Sequence, residues 1–542
     1  MDLFYISWIT ALHLFSFSLV TSSSDETFTA AVVEPVTSEH ILPNVTKESA
    51  LKVINKNLNH YEELIQTASQ QNASIVVFPE YGITGFGQSR KTAKVFGEVV
   101  PNPYITVIIP CIDLTNSTIL RKLSCFAMQY NIVVVANMIT IEACLPNDSH
   151  CPSDGHYVYN TDVAFERNGQ LVAHYNKINV YADEKQIFDT PIGRSIENYG
   201  VFKTDFATIG LFICFDMLFE YPTSDLVYGV GVDTMVFSTA WMNELPLLSA
   251  VEYQEAWSVR YNTTLLASNQ HLPLVKMTGS GIYDGDRGAL TYHYDMVTYK
   301  SKLLIVNVPK RKNVQIIPSV REVIISILRN MDYETLDKVS PVIRALLDNK
   351  SDLQLRDTIF QDRYAPQDMY VPQEIHHTQT SFQGVMNDDL YTFEPLVGAT
   401  GHVSVCNGSI CCHLNYTREE MKSYELYALG AFDGLHTHNG RYYLQTCSLV
   451  KCQVNEGTKC GGEIETAKGV FNNISLSISG YHPVVYLFPE VVTNKINLAV
   501  IGKEWISEFP YDHIRSIGNG IKQPLVAASI YGRWYERDTV LP

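Results

Sequence analysis

Three stretches of this chain put a single reactive residue at or just after the end of an apolar run. Glu80 follows "SIVVFP", Lys177 follows "LVAHYN", and Cys214 lies within "TIGLFICFD". A thiol of ordinary pKa, about 8.5, is mostly protonated at neutral pH and needs a neighbouring base before it can attack. Glu80 is the candidate base, taking the Cys214 proton and later passing it to a leaving amine. Lys177 is the candidate oxyanion stabiliser and proton donor, helped by the backbone N–H of Phe215. Together they suit amide hydrolysis through a thioester, with Glu80 activating water in the second step. Taken singly, each has a plainer reading: a solvated loop glutamate, a surface lysine and a core-filling cysteine. A cysteine peptidase would need a histidine partner, but neither His174 nor His271 sits in a peptidase-like context, and Lys177 would be idle.

The cysteine count favours a spare thiol. Eleven cysteines allow five disulfides with one left over. Cys111 and Cys125, Cys144 and Cys151, and the group Cys406, Cys411, Cys412, Cys447, Cys452 and Cys460 all have near neighbours. Cys214 stands alone in the interval from 152 to 405, and the connectivity of the rest stays open. The run Leu3–Val20, followed by Ser22, Ser23 and Ser24, reads as a secretory leader over residues 1–24. Sequons at Asn44, Asn72, Asn116, Asn147, Asn262, Asn349, Asn407, Asn415 and Asn473 agree with a secreted glycoprotein. No later stretch approaches the roughly 20 apolar residues of a membrane span, and no lipid-anchor tail is expected. The formal net charge of −17 argues against nucleic acid or an anionic membrane as the main partner.

The elements that must position these residues are legible from periodicity. Phe28–Val36 reads as a strand, and Leu51, Ile54, Leu58, Tyr61, Ile65 and Ala68 mark one face of a long helix. The strand "SIVVFPE" follows, then a helix over Ile119–Tyr130, the strand "NIVVVANM", and a hairpin turning at Asn168-Gly169. Later come "DTMVFSTAWMN", a helix over Pro246–Tyr261 and the strand "TLLAS". Strands alternating with helices predict an α/β layered domain over residues 25–310. Residues 311–385 read as a connector with short helical patterns at Val320–Asn330 and Pro341–Leu347. Residues 386–542 read as a β-rich, disulfide-containing second domain. At strand ends, Trp241 and Asn243 are candidate pocket residues, as are Glu184 and Phe215.

At this point the chain resembles a known family. Glu80, Lys177 and Cys214, in "VVFPEYGITGF", "AHYNKINVYADE" and "GLFICFDMLF", resemble the nitrilase, or carbon–nitrogen hydrolase, superfamily. "TAWMNELPLLSAVEYQEAW", "KMTGSGIY", "CCHLNY" and "ELYALGAFDGLHT" resemble its vanin and biotinidase branch. The resemblance implies an αββα sandwich with a Glu-Lys-Cys triad, an appended β-rich domain, no metal or organic cofactor, and a pantothenoyl or biotinyl amide as substrate. "VDTMVF", "ASNQH", "GAFDGLHT" and Glu184 resemble the vanin pattern more closely, which implies cleavage of pantetheine to pantothenate and cysteamine. The biotinidase-type alternative is hydrolysis of biocytin. An alternative of another class is an inactive secreted glycoprotein that uses the sheet as a binding scaffold. Tyr81 and Ser238 depart from the family pattern, which shows Asp and Pro there.

Overall fold

The computed structural model describes residues 26–37, 45–191, 199–311, 381–419, 425–453 and 459–538. The expected leader, Asn44, Asn349 and the helical patterns at 320–330 and 341–347 lie outside the described residues. Two six-stranded sheets form the first domain. One contains β1 (Thr27–Glu34), β2 (Ile75–Val77), β3 (Val133–Ala143), β4 (His156–Phe165) and β5 (Leu171–Asn176). The other contains β6 (Val201–Lys203), β7 (Thr208–Ile213), β8 (Thr234–Ser238), β9 (Thr264–Ser268), β10 (Ser280–Asp284) and β11 (Gly288–His293). β12 (Lys302–Pro309) returns to the first sheet, antiparallel to β1.

Each sheet is parallel at its centre: β1, β2 and β3 in one, β7, β8 and β9 in the other. Their facing sides share one apolar core, in which Ala30, Val32, Ile75 and Val77 meet Ile209, Leu211 and Ile213. Helices cover the outer faces. α1 (Lys47–Gln70) starts at Thr46, which forms a capping box with Ser49, and lays Ile54, Leu58, Tyr61, Ile65 and Ala68 onto the first sheet. Burying Ile54, Leu58 and Ile65 contributes about 2 kcal/mol each, and this secures the helix more than propensity does. After it come α2 (Arg90–Phe96), the single turn α3 (Pro110–Asp113) and α4 (Ile119–Tyr130), whose Leu120 and Leu123 are buried against that sheet. α5 (Ala250–Tyr261) covers the second sheet and is buried all round, because the β-rich domain packs on its other side, with Phe488 against Tyr253. The result is the expected αββα order.

α5 begins at Ala250 rather than at Pro246. The Asn243 side chain accepts the N–H of Ala250 at 2.7 Å, so the helix is capped from seven residues upstream and residues 246–249 are held as a turn. The hairpin at Asn168-Gly169 forms as expected, with Gly169 at φ +81°. Asn72 and Asn262 sit in left-handed turns between helix and strand, at φ 59° and 47°.

Beyond the connector, the described residues form an eight-stranded sheet packed against a five-stranded one. The strand Phe382–Met386 pairs with Asp389–Pro395, so β structure begins within the stretch assigned to the connector. Disulfides join Cys111–Cys125, Cys144–Cys151, Cys406–Cys411, Cys412–Cys447 and Cys452–Cys460. Cys214 is the free cysteine. Of the sequons, Asn72, Asn116, Asn147, Asn262, Asn415 and Asn473 are exposed, while Asn407 is half-buried and donates to Thr392. No helix among the described residues is long and apolar enough to cross a membrane.

Candidate active site

The strand ends converge because parallel strands in register finish together. Ile213 of β7 pairs with Ser238 of β8, and Ser238 pairs with Ser268 of β9, so Cys214, Thr239 and Asn269 share one edge. β2 ends at Val77 and delivers Glu80 three residues later from the other sheet. The β4–β5 hairpin delivers Lys177, whose N–H is bound by the Asn160 carbonyl at 2.8 Å. A cavity of about 390 Å³ opens at this edge, and Glu80, Lys177, Glu184, Cys214, Phe215 and Trp241 all line it.

Glu80 and Lys177 are each 1% exposed, with Nζ 2.8 Å from Oε1. The same Oε1 accepts from Asn160 at 2.6 Å, and Oε2 accepts the N–H of Ala240 at 2.9 Å. Three donors orient the carboxylate and favour its charged form, and Gln270 fixes its backbone by donating to the Glu80 carbonyl. Burial still raises the Glu80 pKa, against the pull of Lys177, and the charge of Glu184 raises it further. This makes Glu80 a stronger base than a free glutamate.

Glu184 is the second anchor of Lys177, at 2.7 Å, and its carboxylate also takes the Tyr181 N–H and the Tyr81 hydroxyl. Burial disfavours the Lys177 charge, but the Glu184 and Glu80 carboxylates outweigh it and hold the pKa well above the usual lysine value. Two of the three ammonium N–H bonds are thus committed, leaving one for a developing oxyanion. Tyr81 sits at φ 60° and joins Glu184 to Asn160, which donates to its hydroxyl at 3.2 Å. Ser238 donates to the Phe78 carbonyl at 3.0 Å and so ties the two sheets together behind Glu80.

Cys214 is half-buried and opens a 3₁₀ turn, Cys214–Leu218, with its own φ at 47°. Left-handed backbone at a non-glycine residue stores strain, and here it turns the chain sharply off β7. Burial pushes the thiol pKa up, the Glu80 charge adds to this, and Lys177 opposes it. The resting group is therefore a neutral thiol that needs its proton taken as it attacks.

Several supporting residues carried no role in the sequence. Asp216, fully buried, accepts from the N–H and side chain of Asn179 at 2.7 and 2.9 Å, from Tyr175 at 2.8 Å and from the Ile213 N–H at 3.0 Å. It thereby pins the turn that carries Cys214. Its sequence signal was adjacency to the cysteine in "CFD". Asn137 bridges the Tyr81 N–H, Asn160 and Asp162 behind Glu80. These polar residues on otherwise apolar strands were the available sign. Asn243 does not line the cavity; it caps α5 and donates to the Lys276 and Thr278 carbonyls. Trp241 both lines the cavity and belongs to the core, with Nε1 bonded to the Leu248 carbonyl at 2.9 Å. The β-rich domain closes one wall with Asn387, Asp388, His436, His438, Asn439 and Tyr442, a contribution no local motif could reveal.

One further group has the donors for a metal: ligand atoms of Glu34, His271 and His293 lie within 4.8 Å of one another. Both ring nitrogens of His271 already face acceptors, Glu34 at 2.7 Å and the Thr298 carbonyl at 2.6 Å. Acceptors at both ring nitrogens favour the charged imidazolium over a metal-binding neutral ring. Burial disfavours that charge, but the carboxylate and carbonyl keep its pKa above the ordinary value.

Comparison with known proteins places the chain in a family. Residues 51–253 match the carbon-nitrogen hydrolase family, and residues 380–538 match the Vanin C-terminal domain. A pantetheinase of Bos taurus is 37% identical over 532 residues, covering 96% of this chain and 92% of its own. A biotinidase of Homo sapiens is 36% identical over 529 residues, covering 95% and 90%. The solved structure of Saccharomyces cerevisiae Nit3, a member of branch 10 of the nitrilase superfamily, matches 57% of this chain and 97% of its own, at a TM-score of 0.40 and 16% identity. With both domains matched and relatives aligned over nearly its whole length, the chain belongs to the vanin and biotinidase family of the nitrilase superfamily and is a hydrolase of carbon–nitrogen amide bonds.

Proposed function

We propose that Cys214, Glu80 and Lys177 form the catalytic centre, and that its substrate is pantetheine, cleaved to pantothenate and cysteamine. The observation that carries this reading is the buried Lys177–Glu80 contact of 2.8 Å in the cavity that also holds the free thiol. Cys214 Sγ attacks the amide carbon as Glu80 takes its proton. The oxyanion is met by the remaining Lys177 N–H and the backbone N–H of Phe215. Collapse breaks the C–N bond as Glu80 returns the proton to the departing nitrogen, leaving an acyl thioester. Glu80 then takes a proton from water, whose oxygen attacks the thioester carbon; as the C–S bond breaks, Glu80 passes that proton to the departing Cys214 sulfur and the acid is released.

Pantetheinase relatives and the vanin-like motifs support pantetheine; the biotinidase relative at 36% identity supports biocytin as the second reading. Five disulfides and six exposed sequons support a secreted, N-glycosylated chain whose residues 1–24 are a leader. The test is to incubate purified protein with pantetheine and biocytin in parallel and assay both acids. Pantothenate release that is lost in Cys214→Ala is expected. Turnover of biocytin alone moves the substrate to biotinyl amides, and turnover of neither by folded protein overturns the proposal.

A further inference from the structure

The cavity is electrostatically one-sided. Among the described residues that line it, Lys177 is the one lysine or arginine, and its ammonium is held by Glu184 and Glu80. The outer lining carries Asp183 and Glu244 from the first domain and Asp388 from the second, all three exposed. Asp388 has His438 beside it, 3.7 Å from Nε2 to Oδ2. Burial raises the Glu244 pKa; Lys276 opposes this, the charges of Glu463 and Asp388 add to it, and His438 lowers it again.

A second, independent observation points the same way. Gln88 lines the cavity at 7% exposure and donates from Nε2 to the Thr84 carbonyl at 2.9 Å, while its Oε1 has no partner among the described residues. A buried acceptor without a donor is costly, and it marks this side of the cavity as short of hydrogen-bond donors. The charged groups of the outer lining are thus mainly carboxylates, above a wall that is largely apolar.

Hydrolysis through a thioester decides which half of the substrate meets the lip. The acyl group stays bound to the thiol through both steps and belongs in the enclosed part. The amine departs first and must leave through the open end. We infer that the lip formed by Asp183, Glu244 and Asp388 selects the substrate by the charge of its amine half: cationic amines are favoured over neutral ones, and carboxylate-bearing amines are rejected. The inference rests on the amidase reading above and extends it from a reaction type to a class of leaving group. It also gives the β-rich domain a part in specificity, since Asp388 comes from its first turn.

The probes are three pantothenoyl amides that differ only in the amine: 2-aminoethyl, ethyl and 2-carboxyethyl. kcat/KM is measured for each at pH 8 and low ionic strength, with wild type and with the exposed-residue double variant Glu244→Gln/Asp388→Asn. In wild type the cationic amide should exceed the carboxylate amide by about tenfold or more. That ratio should shrink towards one in 1 M salt, where the Debye length falls to about 3 Å. It should also shrink in the double variant. The ratio is the readout, so a general change in activity does not enter. Equal kcat/KM for the three amides in wild type, or a ratio that neither salt nor the double variant alters, overturns the inference and leaves the amidase reading standing. Failure of wild type to cleave any of the three overturns the inference together with pantetheine as the substrate.

Discussion

Replacing Asp216 by Asn removes one acceptor oxygen from a carboxylate that takes four hydrogen bonds. Oδ1 accepts from Asn179 twice, at 2.7 and 2.9 Å; Oδ2 accepts from Tyr175 at 2.8 Å and from the Ile213 N–H at 3.0 Å. The amide NH₂ must face one of these pairs, donor against donor. Two hydrogen bonds to a charged acceptor are lost, each contributing about 1.5–3 kcal/mol. The Tyr175 hydroxyl can rotate to accept from the new NH₂, and loss of a buried charge relieves desolvation, which together return about 1–2 kcal/mol. The net expectation is a loss of about 1–5 kcal/mol in unfolding free energy, read as a lower urea midpoint with unchanged slope. The same turn carries Cys214 and the Phe215 N–H, so kcat/KM should fall by about a hundredfold, the scale of a misplacement near 1 Å. Asp216→Asn with stability within about 0.5 kcal/mol of wild type and kcat/KM within about twofold would refute the role assigned to this carboxylate.

Further outcomes are open to direct measurement. Glu184→Gln leaves Lys177 with Glu80 as its one carboxylate partner; because Glu184 raises the Glu80 pKa, the acid limb of the kcat/KM profile should move to lower pH, and an unmoved limb contradicts the coupling. Glu255 is buried, and desolvation lifts its pKa from 4.5 to about 8 against a hydrogen bond from the Ala289 N–H. A raised carboxyl pKa means the folded state holds the proton longer, so stability is full below about pH 4.5 and falls as pH rises towards 8, at up to about 1.4 kcal/mol per pH unit. Glu255→Gln should flatten that fall in urea titrations, and an unchanged slope rules the residue out. Thiol titration of the unreduced, denatured protein should find one reactive cysteine in wild type and none in Cys214→Ala; two or more would contradict the disulfide pattern.

Much of the site was legible because chemistry and periodicity coincide at strand ends. Glu80, Lys177 and Cys214 each interrupt or follow an apolar run; parallel register sets the edge that carries Cys214, while the facing sheet brings Glu80 from the end of β2 and Lys177 from an antiparallel hairpin. The odd cysteine was legible from parity alone, although the pairings were not, since spacing does not fix connectivity. Asn243 was read as a pocket residue because it follows a strand. Its side chain instead caps α5, a contact decided by how the turn at 246–249 packs. The helix start was misplaced for the same reason, because the cap lies outside the helix's own sequence. The wall from Asn387 to Tyr442 was hidden because it is made by docking two domains about 200 residues apart in sequence.

The central claim is that Cys214 carries the acyl group. Protein turning over pantetheine is quenched in acid, digested, and the Cys214 peptide weighed. The account predicts a pantothenoyl adduct on Cys214 that disappears when the substrate is exhausted. Turnover in Cys214→Ala, or an acyl group borne by another residue while Cys214 stays unmodified, would contradict it.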